Sequence, residues 1–544
     1  MTPAQHERRL VEFFTNPRSY PHPVGRILRQ ETHVSHVFLA GDYAYKLKKS
    51  VRFPFLDAST LAARKRFCRL ELSLNRRLAP QVYLGMVPVV ATAIRAKRDT
   101  GRGGRPVVAL PHGLALGGAG KAVEWVVQMR RLPEARMLDR LVASRTVSRR
   151  EIEAIADRLV AFFRRAARGR AIDRYGHPAS VRELVLGNLR ECQPFVGRLC
   201  SEDDAQRLEA AYRQFLTLQE PVLAQRVRER RIIDGHGDLR CENICLTDPV
   251  AIFDCVEFQP AFRCGDVVND LSFLVMDLEF RGQDDLAQTL VATYRRAMHD
   301  ATFDAVLPFY QCHRSLVRGK VRGFAWLQHP RSTEGRRVRA LARRHFRLAR
   351  RYARVFAPPR LLIVGGLIGT GKSTLARALA ESLGAVWLRT DEIRLKEFRH
   401  LRRPRQEFAE GLYAPRVSTL VYRRLMQRAE AAIRQGRSVI CDGTFSKASG
   451  RRALRRIARR HGASFHFLEC VVPASVAKRR VAQRVEARTD LSEARPEHYA
   501  KLRAECEPVR GWSANDWTRL STHRTPRASI EAALTALRQA WKVC

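Results

Sequence analysis

The 544-residue sequence predicts a multidomain protein that joins an α+β domain to an α/β domain. The first is two-lobed and covers residues 1–355; the second, a parallel sheet flanked by helices, covers residues 358–544. Three observations lead there. An Arg-rich helical stretch stops at Ala357-Pro358-Pro359, where proline ends the helix and an apolar strand, Leu361–Val364, begins at once. Strand-like and helix-like segments alternate after that break, the order that builds a parallel sheet. Before Met129 the chain reads as β-rich and after it as helical, which divides the first domain into an N-lobe, 1–128, and a C-lobe, 129–355.

Composition narrows the class. With 45% hydrophobic and 28% charged residues, the chain is an ordinary globular one, neither disordered nor dependent on disulfides for a core. It has no run of eighteen apolar residues to cross a bilayer, and its start, MTPAQHERRL, has no apolar secretory segment. The twelve Cys are scattered; the closest pair, Cys241 and Cys245, has no second pair at zinc spacing, so reduced thiols in a cytoplasmic protein are expected. The net charge is +45, and 86 of the 99 basic residues are Arg. Such a surface admits nucleic acid as a partner, but the clusters Arg336–Arg351 and Arg451–Arg460 hold few aromatics for base stacking, and solvated helix faces are the favoured reading. The Gly-rich stretch Gly101–Gly120 reads as a mobile loop between strands.

In the second domain, Gly366-Leu-Ile-Gly-Thr-Gly-Lys-Ser373 matches G-x-x-x-x-G-K-[ST], with a strand before it and a helix-forming run, Thr374–Leu383, after it. Gly366, Gly369, Thr370, Gly371 and Thr374 would offer backbone N–H groups to phosphate oxygens. Lys372 would reach the β- and γ-phosphates of ATP, and the Ser373 hydroxyl would hold Mg²⁺. A second strand, Ala385–Leu388, leads to Asp391, placed to take a proton from an acceptor hydroxyl, and Arg394, three residues on, to clamp a substrate anion. A third, Ser438–Cys441, ends at Asp442, a position for organising Mg²⁺. A fourth, Phe465–Cys470, precedes Arg480 and Arg484, one helical turn apart and suited to a lid over the transferring phosphoryl. Residues 360–544 thus resemble the P-loop small kinases: gluconate kinase, zeta-toxin-like kinases and polynucleotide 5′-kinases. The resemblance implies Asp391 as base and Arg394 as anion clamp.

In the first domain, His236-Gly237-Asp238-Leu239-Arg240-Cys241-Glu242-Asn243 reads as a catalytic loop of pattern H-x-D-x-x-x-x-N. Asp238 would accept the proton of a substrate hydroxyl and Asn243 would hold Mg²⁺. Eleven residues past Asn243, the strand Val250–Phe253 delivers Asp254 as second metal ligand. Upstream, Val37–Ala40 and Tyr43–Leu47 form a hairpin through Gly41-Asp42. Lys46 projects from its second strand as the phosphate-binding lysine, with Lys48, of the same parity, as competitor; Glu71 on the next helix would pair with Lys46. Ala122–Val127 reads as the strand entering a hinge whose backbone receives adenine. Residues 25–330 resemble the aminoglycoside phosphotransferase family, a branch of the protein-kinase-like fold, and Arg263–Leu271 is similar to the G-D-x-x-x-D-L run after the metal Asp, which implies that Asp266 braces the catalytic loop. No glycine-rich phosphate loop precedes Lys46; Thr32-His33-Val34-Ser35 stands in its place.

The whole chain resembles bacterial fusions of an aminoglycoside-phosphotransferase-like domain with a P-loop kinase. The expectation is an ATP- and Mg²⁺-dependent phosphotransferase with two centres, acting on hydroxyl groups of small molecules. Its rivals are a polynucleotide 5′-end kinase and an ATP-binding regulator that phosphorylates no acceptor.

Overall fold

A computed structural model describes residues 2–53, 56–91, 113–401, 411–487 and 495–541. Most of the Gly-rich stretch, residues 101–112, lies outside them, as do residues 488–494. The chain forms two compact units: Met1–Gly176 with Arg226–Ala301, and His177–Gln225 with Thr302–Cys544. The sequence break at Ala357–Pro359 falls inside the second unit.

The first unit is built on a six-stranded antiparallel sheet. Its strands are β1 (Ile27–Glu31), β2 (Ser35–Ala40), β3 (Tyr43–Lys48), β4 (Tyr83–Ala91), β5 (Leu114–Leu116) and β6 (Ala122–Arg130), in the order β1-β2-β3-β6-β4-β5. The β2–β3 hairpin pairs Ala40 with Tyr43 across a two-residue turn, where Gly41 has φ +57°, the left-handed region that glycine enters without strain. Alternation on β3 sends Tyr45 and Leu47 to one face and Ala44, Lys46 and Lys48 to the other. The first face buries Phe13 and Phe14 of the helix Pro3–Thr15 against Phe38, Tyr45 and Val126. The second meets the helix Leu61–Asn75, so both lysines of β3 face Glu71. Beyond the sheet, β7 (Ile232–Asp234), β8 (Ile244–Cys245), β9 (Ala251–Ile252) and β10 (Cys264–Asp266) form two small antiparallel ladders, β8 with β9 and β10 with β7.

The second unit holds a fully parallel sheet of β11 (Arg360–Gly365), β12 (Val386–Arg389), β13 (Val439–Asp442), β14 (Ser464–Val471) and β15 (Trp517–Ser521), in the order β12-β13-β11-β14-β15. Its central strand β11 is buried throughout, as a strand covered on both faces must be. Leu361 and Ile363 pack with Val421 and Leu425 of the helix Pro415–Arg434, while Leu362 and Val364 pack with Leu375 and Leu379 of the helix Lys372–Leu383. Parallel pairing carries every strand's C-terminal end to one edge, where such sheets hold ligands. The arginine clusters lie on the helices Thr333–Phe356 and Ala448–Arg460. Among the described residues, no helix is long and apolar enough to cross a membrane.

Candidate functional sites

In the second unit, the P-loop follows directly from β11. Gly366, Gly369 and Gly371 have φ of +141°, +74° and +78°. A Cβ on Gly366 would stand 2.4 Å from the Cys470 carbonyl oxygen, and one on Gly369 would stand 2.3 Å from that of Ala477. Both positions therefore exclude any side chain. Gly371 opens the helix that begins at Lys372, so the loop delivers its amides and the lysine to a helix N-terminus.

Register brings the partners to this point. Asp442 ends β13 opposite Val364, and Gly366 N–H donates to the Thr444 carbonyl at 3.2 Å. Asp442 is buried; burial raises its pKa, against the pull of Lys372, a hydrogen bond from Ser373 and the Arg389 guanidinium. Its Oδ1 has no hydrogen-bond partner among the described residues. A carboxylate oxygen left without a donor beside a serine hydroxyl fits a divalent cation, which would satisfy both. Asp391 lies in the first turn of the helix Thr390–Phe398 without capping it, close enough for its charge to act on Asp442 and Tyr422. Arg394 is buried, stacked on Tyr413 with its guanidinium 4.6 Å from the ring centre, and donates to the Leu412 carbonyl and, at 3.3 Å, to Ser418.

Arg480 does reach the P-loop: its Nη1 lies 3.6 Å from the Cβ position of Gly371. Both of its terminal nitrogens donate to the Thr522 carbonyl at 3.2 Å, and the Thr522 hydroxyl donates to the Thr370 carbonyl at 2.5 Å. Thr522, just past β15, escaped the sequence reading because no local pattern ties it to a loop about 150 residues earlier. Arg484 follows one turn on, in the helix Ala474–Ala487.

In the first unit, Lys46 Nζ donates to Glu71 Oε1 at 2.7 Å and to Asp254 Oδ1 at 2.6 Å. Lys48 Nζ pairs with Glu71 Oε2 at 2.5 Å and with Glu257. Glu71, fully buried, thus bridges the two lysines rather than choosing one. Burial opposes the charged forms of Lys46 and Glu71. The neighbouring carboxylates nevertheless hold Lys46 well above its ordinary range, and the two lysines hold Glu71 below its own.

Asn243 and Asp254 meet because β8 pairs with β9 and Phe253 N–H donates to the Asn243 carbonyl at 3.0 Å. Asp254 itself has φ +64°, a conformation Asp tolerates and one that often marks functional positions. Asn243 donates through Nδ2 to the Asp238 carbonyl at 2.8 Å and to Asp238 Oδ2 at 3.0 Å, which leaves the amide oxygen as the atom a cation would take. Both Asp238 oxygens accept from Arg240 at 2.8 Å. That pairing was not foreseen, although Arg240 sits within the quoted motif.

One expectation is corrected. Asp266 does not brace the loop; it pairs with the buried Arg226 and caps the helix Val267–Phe280 by accepting from Val268 N–H at 2.9 Å. The brace is Asp270, whose carboxylate accepts from the backbone N–H of His236 at 2.7 Å and of Gly237 at 2.8 Å. One helical turn separates the two acids, and only the second faces the loop.

Residues 361–509 match the AAA domain family. Uncharacterized proteins of Mycobacterium tuberculosis and Mycobacterium bovis are each 34% identical to the chain over 468 residues, 85% of this chain and 87% of theirs. Two solved structures are similar to part of it. A sugar kinase from a Janibacter species is 24% identical, covering 33% of this chain and 95% of that one with a TM-score of 0.27. A gluconokinase from Sinorhizobium meliloti is 17% identical, covering 34% and 95% with a TM-score of 0.26. By a likeness that runs through most of both sequences, the chain belongs to the family of these mycobacterial proteins, with an AAA domain in its second half.

Proposed function

We propose that the chain is an ATP- and Mg²⁺-dependent phosphotransferase with two nucleotide-binding centres, each passing a γ-phosphate to a hydroxyl group of a small-molecule acceptor. The observation that carries this reading is the P-loop constellation. Three glycines in left-handed or side-chain-excluding conformations stand beside Lys372, Ser373 and a buried Asp442, one of whose oxygens has no hydrogen-bond partner among the described residues. In the second unit the loop amides and Lys372 hold the β- and γ-phosphates, Arg480 neutralises charge on the transferring group, and Asp391 takes the acceptor proton. Arg394 supports the acceptor side. In the first unit Lys46, held by Glu71, binds phosphate, Asn243 and Asp254 hold the cation, and Asp238 takes the acceptor proton. Bound Mg²⁺ would supply neutralisation of the phosphate oxygens in both places. In each transfer the acceptor oxygen loses its proton to the aspartate and bonds to the γ-phosphorus as the bond from phosphorus to ADP's terminal oxygen breaks.

The second reading, an ATP-binding regulator, draws on Arg240, which engages both oxygens of Asp238. The test is a γ-phosphate transfer screen of the intact chain across sugars, aminoglycosides, nucleosides and oligonucleotides. Lys372→Ala should remove one set of products and Asp238→Asn another. If neither change lowers any ATP-dependent transfer, the two-centre reading fails.

A further inference from the structure

The helix Thr333–Phe356 holds nine Arg against one acid, Glu334. One of its faces buries Ala342, His345, Phe346, Ala349 and Tyr352. The opposite face exposes Arg336, Arg343, Arg344, Arg347, Arg351 and Arg354. At 3.6 residues per turn these six fall within an arc of about 100° and run about 27 Å along the axis. Glu334 is engaged by Arg337 at 3.6 Å, so it does not interrupt the row. The arginines enclose Ala340, which is exposed; the arc presents no aromatic ring to stack an unpaired base, and the exposed Val355 at its margin is a single apolar side chain, too little surface to enter a bilayer.

We propose that this face docks double-stranded nucleic acid through its phosphate backbone, without reading the bases. A duplex offers one negative charge per about 1.7 Å of its axis, so a row about 27 Å long faces more phosphates than it has arginines, and each guanidinium has one within reach. Guanidinium groups bind phosphate oxygens through paired N–H donors. The row shares no residue with either phosphate-binding centre, and the proposal goes beyond the transfer reaction.

The test compares two variants of the full chain that lose equal charge. One is Arg347→Ala, Arg351→Ala and Arg354→Ala together. The control is Arg452→Ala, Arg456→Ala and Arg459→Ala, exposed positions on the helix Ala448–Arg460. Alanine keeps both helices, which circular dichroism checks. Binding of a labelled DNA duplex and a labelled RNA duplex of mixed sequence is followed by anisotropy across a salt series. The first variant should flatten the slope of log affinity against log salt by about 2 to 3, and the control by less than about 1. Loss of binding to one duplex alone assigns the partner to that nucleic acid. Equal losses in the two variants, no loss in either, or equally tight binding of phosphatidylserine vesicles would overturn the proposal.

Discussion

Glu71→Gln tests the electrostatic design of the first unit. The carboxylate is fully buried between Lys46 and Lys48, and each lysine keeps a second acid, Asp254 or Glu257, when Glu71 is neutralised. Breaking a buried pair costs about 3–5 kcal/mol, because a charge remains in a poorly solvated place. The remaining acids reduce this toward the lower end, about 3 kcal/mol, still a large part of a domain's 5–15 kcal/mol or so. A multidomain chain does not unfold in one step, so the assay must resolve this unit. Urea titration read by hydrogen exchange of the strand Tyr43–Lys48 does so. With a slope of about 2–3 kcal/mol per molar urea, the midpoint of that segment should fall by about 1 M or more. A change of less than about 0.2 M would show that Lys46 and Lys48 do not depend on Glu71, and the reasoning would be wrong.

Other outcomes follow from the same geometry. Gly369→Ala places a Cβ 2.3 Å from a backbone carbonyl at φ +74°, so nucleotide titration should show at least about a hundredfold weaker binding at the P-loop, with the first unit's affinity unchanged. Asp442→Asn should lower Mg²⁺-dependent transfer by the second centre by about a hundredfold or more. Because burial raises the pKa of this acid in the fold, its charge is a liability at neutral pH, and the same variant should unfold at a higher temperature. His236 is buried and its pKa is lowered, by burial above all, against Asp270 and Asp238. Its contribution to stability is therefore complete above the unfolded value near 6.5 and falls as pH drops below it, by at most about 1.4 kcal/mol per pH unit. Denaturation of the first unit at pH 5 and pH 7.5 checks this, and equal stability at the two would contradict it.

Much of the second unit was legible because its determinants are local. A glycine motif between a strand and a helix, and an acid at the end of a neighbouring strand, can be read within ten residues. The expected strands Leu361–Val364, Ala385–Leu388, Ser438–Cys441 and Phe465–Cys470 appear shifted by a residue or so at their ends, whereas β15, Trp517–Ser521, was not foreseen. Its five residues, Trp-Thr-Arg-Leu-Ser, are too few and too mixed to mark a strand locally, and the segment gains its place from pairing with β14. The first unit shows the limit more sharply. Parity placed Lys46 and Lys48 on one face but could not tell that Glu71 would span both, since that depends on how the helix Leu61–Asn75 sits over the sheet. Asp266 and Asp270 lie one turn apart, and tertiary packing alone decided which of them holds the loop.

The account stands on two phosphate-gripping centres in one chain, and counting bound nucleotide tests this most directly. Equilibrium binding of a non-hydrolysable ATP analogue with Mg²⁺ should give two equivalents per chain, one after Lys372→Ala, one after Lys46→Ala and none in the double variant. A single equivalent in the unaltered chain, or two that survive both substitutions, would contradict it.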